Sequence, residues 1–341
     1  MEYSKFNDPM NYMRVTRELI DMGIPSTAIF AAKSDESINH VKASYCLTSI
    51  DELDKLLDDI DLVIVENIAL SKYLNSLQIY EYIILRGFNI TRVNLRKKIN
   101  NLIRHRIIQE NEIRLSGAEH GIKYYELDHF GYIIARHQGV YFHMGNRYIS
   151  FSKKQEENIS PDTAVDVKRI LTGNQIVLSL LISDVAMQRF GIMETMRSIN
   201  QENGIYMLRT AAYVRINNES VLAYEVVRDT PDSYEKIIDK IDRYYQLVNS
   251  KSYIESNFHD DRVYPQLIIC GESYEHNIKI MEFLRENNLL REEDPILFTE
   301  DLLNVNNSSV SIYMIKEDDN TREWYSLPTR NSSMYIDGKT A

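Results

Sequence analysis

The stretch NITRVNLRKKINNLIRHRII, residues 89–108, constrains the fold more than any other part of the sequence. Its apolar residues Leu95, Ile99, Leu102 and Ile103 recur at three- and four-residue spacing. At about 100° per residue they share one face of a helix. Thr91 stands where an N-cap is needed, and the pattern predicts a helix running to about His105. Asn94, Lys97, Lys98, Asn101, Arg104 and His105 take the opposite face, with Val93 and Asn100 at its edge and Arg96 at a boundary. One side of such a helix needs a core, and the other offers groups that can bond phosphates and base edges.

Charge singles out the same region. From Arg86 to Arg114 the chain carries eight basic residues against Glu110 and Glu112, a net of +6. The formal charge of the whole chain is −11, which leaves −17 for the rest. Positive charge confined to one place in an acidic chain points to an anionic partner bound at that place.

The neighbouring segments set this helix in a pattern. SIDELDKLLDDIDLVIVENIALSKYL starts with Ser49 at a cap position and Glu52 at capping-box spacing, with one helix or two left open. NSLQIYEYIILRGF offers Asn75 or Ser76 as a cap and Gly87 as a stop. After the basic helix, IIQENEIRL and IKYYEL predict two strands around SGAEHG, and DHFGYIIARHQG predicts a short helix. Helix, helix, basic helix and β-hairpin is the order of a winged helix-turn-helix, whose third helix enters the major groove while the wing touches the backbone. The candidate DNA-binding residues follow. Asn94, Lys97, Asn101 and Arg104 face the groove; Arg96, Lys98, Arg114 and Lys123 hold phosphates; Thr91 and Arg92 stand at the helix start.

Four segments are expected along the 341 residues: 1–49, of unknown role; 50–144, the winged helix-turn-helix; 145–174, a polar linker; and 175–341, a second domain. Residues 1–49 contain a helix pattern, NYMRVTRELIDMG. The second domain is expected to hold the helix QIVLSLLISDVAMQRFG, a strand over 206–216, the turn NNES, a strand over 221–227 and a helix over 231–249. YPQLIIC, PILFT and SIYMI supply later strands, with HNIKIMEFLRENN helical between the first two. Strands alternating with helices imply an α/β layer.

Composition excludes several classes. Hydrophobic residues at 44% and charged residues at 26% suit a soluble globular protein. No run of eighteen or more apolar residues exists and the N-terminus has no secretory pattern, so no membrane partner is expected. Two distant cysteines, Cys46 and Cys270, fit a reducing compartment, and a cytoplasmic location is expected. Phosphate-binding glycine loops are missing, and His259, Asp260 and Asp261 are adjacent in sequence and suit a polar loop better than a metal site. GESYEH lacks the glycine-flanked turn of a serine nucleophile. No cofactor, metal or catalytic residue is expected.

LAYEVVRDT (222–230), KIIDKIDRYYQL (236–247), YPQLIICGES and PILFTEDLL resemble the replication-relaxation family, proteins of plasmids and other mobile elements in Gram-positive bacteria. DLVIVENIALSKYLNSLQIYEYIILRG and NLRKKINNLIRHRII are similar to its DNA-binding half, and the resemblance covers roughly residues 50–305. It implies an α+β and α/β multidomain chain: a winged helix-turn-helix followed by a domain shaped like the PD-(D/E)XK restriction endonucleases. A nuclease of that shape needs an Asp on one strand, then an acid and a Lys two residues apart on the next, to hold a divalent metal and activate water. Glu225 fills the acid position, but Val227 stands at the Lys position, and Arg209, Thr210 and Ala211 stand where the Asp step falls. The domain is therefore expected to be degenerate, with Glu225 a structural acid paired with Arg228 or Arg209. The expected function is a homodimeric, sequence-specific binder of double-stranded DNA that regulates transcription or replication of a plasmid or other mobile element. The alternative is a metal-dependent nuclease or DNA-processing replication factor.

Overall fold

The computed structural model describes residues 30–41, 45–46, 52, 55–140, 162–200, 204–218, 220–249, 254–256, 259–261, 265–291, 295–306, 311–316 and 320–330. The expected helix NYMRVTRELIDMG, the cap Ser49 and residues 145–161 lie outside them. The chain divides into two compact units. The first is 33–174; the second is 175–341 together with 1–32.

In the first unit, β1 (Glu36–His40) precedes three helices: α1 (Asp59–Ser71), α2 (Ser76–Leu85) and α3 (Arg92–Arg104). The strands β2 (Ile108–Leu115) and β3 (Ile122–Leu127) come next, then α4 (His129–His137) and α5 (Ala164–Ile182), inside which the boundary between the units falls. Side-chain oxygens fix where the helices begin. The Asp58 carboxylate accepts from the Ile60 and Asp61 N–H groups, and Asp61 accepts from Asp58 N–H in return. Residues 55–56 are helical and 57–58 are not, so the run from 49 to 74 is not one helix. Asn75 and Gln78 form the same reciprocal cap on α2, and Gly87 follows it at φ +85°, a conformation glycine adopts without a Cβ clash. Thr91 Oγ1 accepts from Asn94 N–H at 3.2 Å and starts α3 where expected.

The hairpin β2–β3 is antiparallel and pairs Ile108 with Leu127 and Ile113 with Ile122. β1 adds to its other edge, pairing Glu36 with Leu115 and His40 with Asn111. This strand lies in the stretch to which the sequence assigned no role. ESINH has no alternation of apolar and polar residues, because backbone pairing and one buried ion pair hold it. Lys168 Nζ, on α5, lies 2.6 Å from both Glu36 carboxylate oxygens, and its side chain is 1% exposed.

The expected linker is corrected by the same contacts. Residues 162–174 belong to the first unit. Asp162 accepts from Lys72 Nζ and the Tyr73 hydroxyl, Gln78 donates to the Leu171 carbonyl, and Asn174 donates to the carbonyls of Ser71 and Tyr73. Polar residues suggested a solvated connection here, yet Lys168 and Asn174 are buried and Asp162 is half-buried, each bonded to partners far away in sequence.

The second unit opens with β4 (Arg189–Ile192), β5 (Thr195–Asn200), β6 (Gly204–Arg209), β7 (Ala212–Arg215) and β8 (Val221–Val226). α6 (Pro231–Asn249), β9 (Ile254–Ser256), β10 (His259–Asp261), β11 (Gln266–Gly271) and α7 (Tyr274–Glu286) continue it. It ends with β12 (Leu297–Glu300), α8 (Asp301–Asn306), β13 (Ile312–Ile315) and β14 (Arg322–Tyr325). A seven-stranded sheet runs β14-β13-β12-β11-β8-β7-β4, and a four-stranded sheet runs β10-β9-β5-β6. β8, β11 and β12 are parallel, joined through α6 and α7, and the outer strands are antiparallel. Ile237 and Ile241 of α6 and Ile280 and Leu284 of α7 share one core with Ala223, Leu267, Ile269, Phe298 and Tyr313 of the sheet. The chain is thus a mixed α+β protein.

One expected strand, 206–216, is two. β6 pairs with β5 in the smaller sheet, and β7 pairs with β4 and β8 in the larger one. The crossing at Thr210 and Ala211 is buried. Thr210 N–H donates to the Glu194 carbonyl, and Met193 N–H donates to that of Ala211. An uninterrupted run of strand-forming residues looks the same whether the chain stays in one sheet or passes between two.

Gly131 of α4 tests this packing. A Cβ added there would fall against the Ile107 carbonyl oxygen, inside van der Waals distance. Gly to Ala in a helix ordinarily stabilises by roughly 0.5–1 kcal/mol. Here Gly131→Ala should lower the free energy of unfolding in chemical denaturation.

Candidate nucleic-acid interface

Leu95, Ile99 and Leu102 set the orientation of α3. They are 4%, 3% and 0% exposed, while Ile103 is only half-buried. The helix packs against β2, and Ile107 N–H closes its end by donating to the Leu102 carbonyl. With Ile103 half out, the buried face centres on those three residues. The line opposite it at 100° per residue runs through Val93, Lys97, Asn100 and Arg104, all exposed. Val93 and Asn100, expected at the edge, are therefore central to the outward stripe. Asn94, Arg96 and Asn101 are also exposed and flank it.

Lys98 differs from its neighbours. Its Nζ lies 2.6 Å from Asp58 Oδ2 and 3.0 Å from Asp61 Oδ2 at the start of α1. Burial holds the Asp61 carboxyl above its ordinary value despite the hydrogen bonds it receives. Partial burial also works against ionised Asp58, but Lys98 and the Asp61 N–H outweigh it and hold that carboxyl low. Lys98 is thus a brace between two helices and not a free cation.

Carboxylates also occupy the hairpin. Arg114 pairs with Glu112, whose side chain is 4% exposed and which also accepts from Gly121 N–H at 2.7 Å. Burial would raise the Glu112 carboxyl, and those two donors more than offset it, so it lies below its usual range. Lys123 Nζ lies 2.7 Å from Glu110 Oε1. Of the expected phosphate contacts, only Arg96 stands without an ion pair among the described residues; Lys98, Arg114 and Lys123 each have one. Arg86 pairs with Glu66 and Arg106 with Asp128. The sequence count of +6 overstated the open positive charge. Its acids at 58, 61, 66 and 128 lie outside the 86–114 window yet close in space. Arg96, Lys97 and Arg104 carry what remains, with Thr91 and Arg92 exposed at the helix start.

The second unit holds the other candidate centre. Glu225 on β8 is buried, and its Oε2 lies 2.6 Å from Lys240 Nζ of α6. The expected pairing with Arg228 is corrected, since Arg228 forms a two-pronged pair with Asp301 at 2.7 and 2.9 Å; Arg209 donates to the Met193 carbonyl. Ile269 lies beside Glu225 on β11, and on the other side Ala212 faces Tyr224, so Ala211 continues alongside. Neither flank brings a second acid. Among the described residues no group of three or more His, Cys, Asp or Glu is arranged to hold a metal ion. His259, Asp260 and Asp261 lie in β10, with side chains outside what is described.

Two acids escaped the sequence reading. Asp301, the first residue of α8, neutralises the wholly buried Arg228, and Glu194 is held by Arg189 at 2.6 Å, its carboxyl pushed up by burial. Neither lies in a recognisable motif, since each partner is distant in sequence or set by a local bend. Among the described residues no helix is long and apolar enough to cross a membrane. Comparison with protein-family models, with curated proteins and with solved structures finds no match to this chain.

The brace and the open face respond differently to substitution. Lys98→Met leaves Asp61 buried without its cation and should cost roughly 1–2 kcal/mol of unfolding free energy. Lys97→Met, on the exposed stripe, should change it by less than about 0.5 kcal/mol. Urea denaturation of the two variants beside the parent chain checks the contrast.

Proposed function

We propose that the chain binds duplex DNA through α3, with the first unit acting as a winged helix-turn-helix. One observation carries this reading. α3 is anchored by an apolar stripe and presents Lys97, Asn100, Arg104, Asn94 and Asn101 outward, free of the carboxylates that claim the neighbouring cations. Asn side chains can pair with adenine edges and Arg with guanine, and Lys97 and Arg96 suit phosphates. The neutralised hairpin makes a weaker phosphate clamp than the sequence suggested. Binding in pairs compensates for the small footprint of one such helix, so we propose a homodimer on paired half-sites. Regulation of transcription or replication on a plasmid or other mobile element is the role that fits a specific duplex binder resembling the replication-relaxation family.

The second unit is proposed to be a nuclease-like domain without catalysis, serving in dimerisation or partner binding. Glu225 is neutralised by Lys240 and flanked by Ala211 and Ile269, so neither position beside it supplies a further carboxylate, whereas a divalent-metal site of that kind needs several oxygen ligands.

Three measurements test this. A Lys97→Ala, Arg104→Ala double variant should lose at least tenfold in affinity for duplexes selected from a random pool. The logarithm of the parent chain's affinity should fall with the logarithm of salt at a slope of about −3 per chain, as three open cations imply at about 0.9 each. Wild-type binding by the double variant would overturn the assignment. Supercoiled plasmid incubated with the chain and Mg²⁺ or Mn²⁺ should stay supercoiled; nicking that disappears with Glu225→Ala would establish the nuclease alternative.

A further inference from the structure

Val93 is 65% exposed, and no other large hydrophobic side chain among the described residues is more open to solvent. It lies in the first turn of α3, just after the Thr91 cap, and heads the outward line that continues through Lys97, Asn100 and Arg104. Nothing in the fold asks for Val there. A β-branched residue is a weaker helix former than Ala, Lys or Gln, and an exposed one returns no burial energy. A single exposed apolar residue is ordinary on a protein surface. Its place here is not, since it sits at the one end of the helix where base edges are read and is followed by a cation one turn on.

We propose that Val93 is a specificity-determining residue that packs against the 5-methyl group of a thymine in the major groove. The proposal rests on DNA binding through α3 and adds the kind of duplex and the base class that one position prefers. An apolar side chain beside Lys97 and Asn100 needs a surface that is both anionic and locally apolar. In a B-form major groove the phosphates supply the first, and the thymine methyl is the apolar group on the groove edge of the bases. Duplex RNA supplies the phosphates but not the second, since its major groove is too narrow for side chains and uracil has no methyl.

The test uses the full chain and duplexes enriched from a random double-stranded pool, with binding followed by fluorescence anisotropy. Each thymine of an enriched duplex is replaced in turn by deoxyuridine, which removes only the methyl. At one thymine per half-site the parent chain should lose about fourfold in affinity, the worth of one buried methyl group. Val93→Ala should bind the thymine and deoxyuridine duplexes equally, at the parent's affinity for a duplex with deoxyuridine at that position in both half-sites. Because Val93 is exposed, this variant should melt at the parent temperature. If duplexes are enriched and Lys97→Ala, Arg104→Ala abolishes binding, yet no thymine is sensitive or Val93→Ala keeps the sensitivity, the role of Val93 is refuted and DNA binding stands. If no duplex is enriched, both fall together.

Discussion

The burial of Leu95, Ile99 and Leu102 is the constraint from which the rest of the first unit's surface follows. Each such side chain contributes roughly 1.5–3 kcal/mol when taken out of water, against about 0–1 kcal/mol for an exposed ion pair. The apolar stripe therefore decides how α3 is rotated, and the charged residues take whatever face is left. Lys98 then adds direction. Reaching Asp58 and Asp61 from the flank, it fixes α3 against the start of α1, where those two residues already cap each other. A side chain that looked like part of the outward face spends its charge on holding that face still.

Much of the first unit was legible because its signals are local. Thr91, Asn75, Gly87 and the 3.6-residue spacing of α3 all act within one or two turns, so one window contains both cause and effect. What was missed depends on pairs remote in sequence. Lys168 with Glu36 turned an apparent linker into the support of an unexpected strand. Arg228 with Asp301 replaced one of the two partners considered for Glu225. The second unit showed the same limit from the other side. Its parallel strands β8, β11 and β12 were evident as short apolar runs, whereas β5, β9 and the division at Thr210 leave no periodic trace.

The electrostatics are arranged by subtraction. Of the eight cations between residues 86 and 114, Arg86, Lys98, Arg106 and Arg114 are claimed by carboxylates. The open charge shrinks to a few groups on and around one stripe of α3, in a chain that is acidic overall. Long-range attraction to any polyanion is weak for such a surface. In the DNA-binding role proposed for this helix, discrimination would rest on Asn, Arg and Val contacts more than on charge.

The passage from β6 to β7 carries a different kind of consequence. Arg209 is registered against Thr195 in one sheet and Ala212 against Tyr224 in the other, with only Thr210 and Ala211 between them. Along a strand, a shift of one residue turns every side chain to the opposite face. An insertion or deletion of one residue here would force one of the two sheets to give up its register, so length at this point can drift in evolution far less readily than sequence can. The fold is pinned at Thr210 and Ala211 by counting as much as by chemistry.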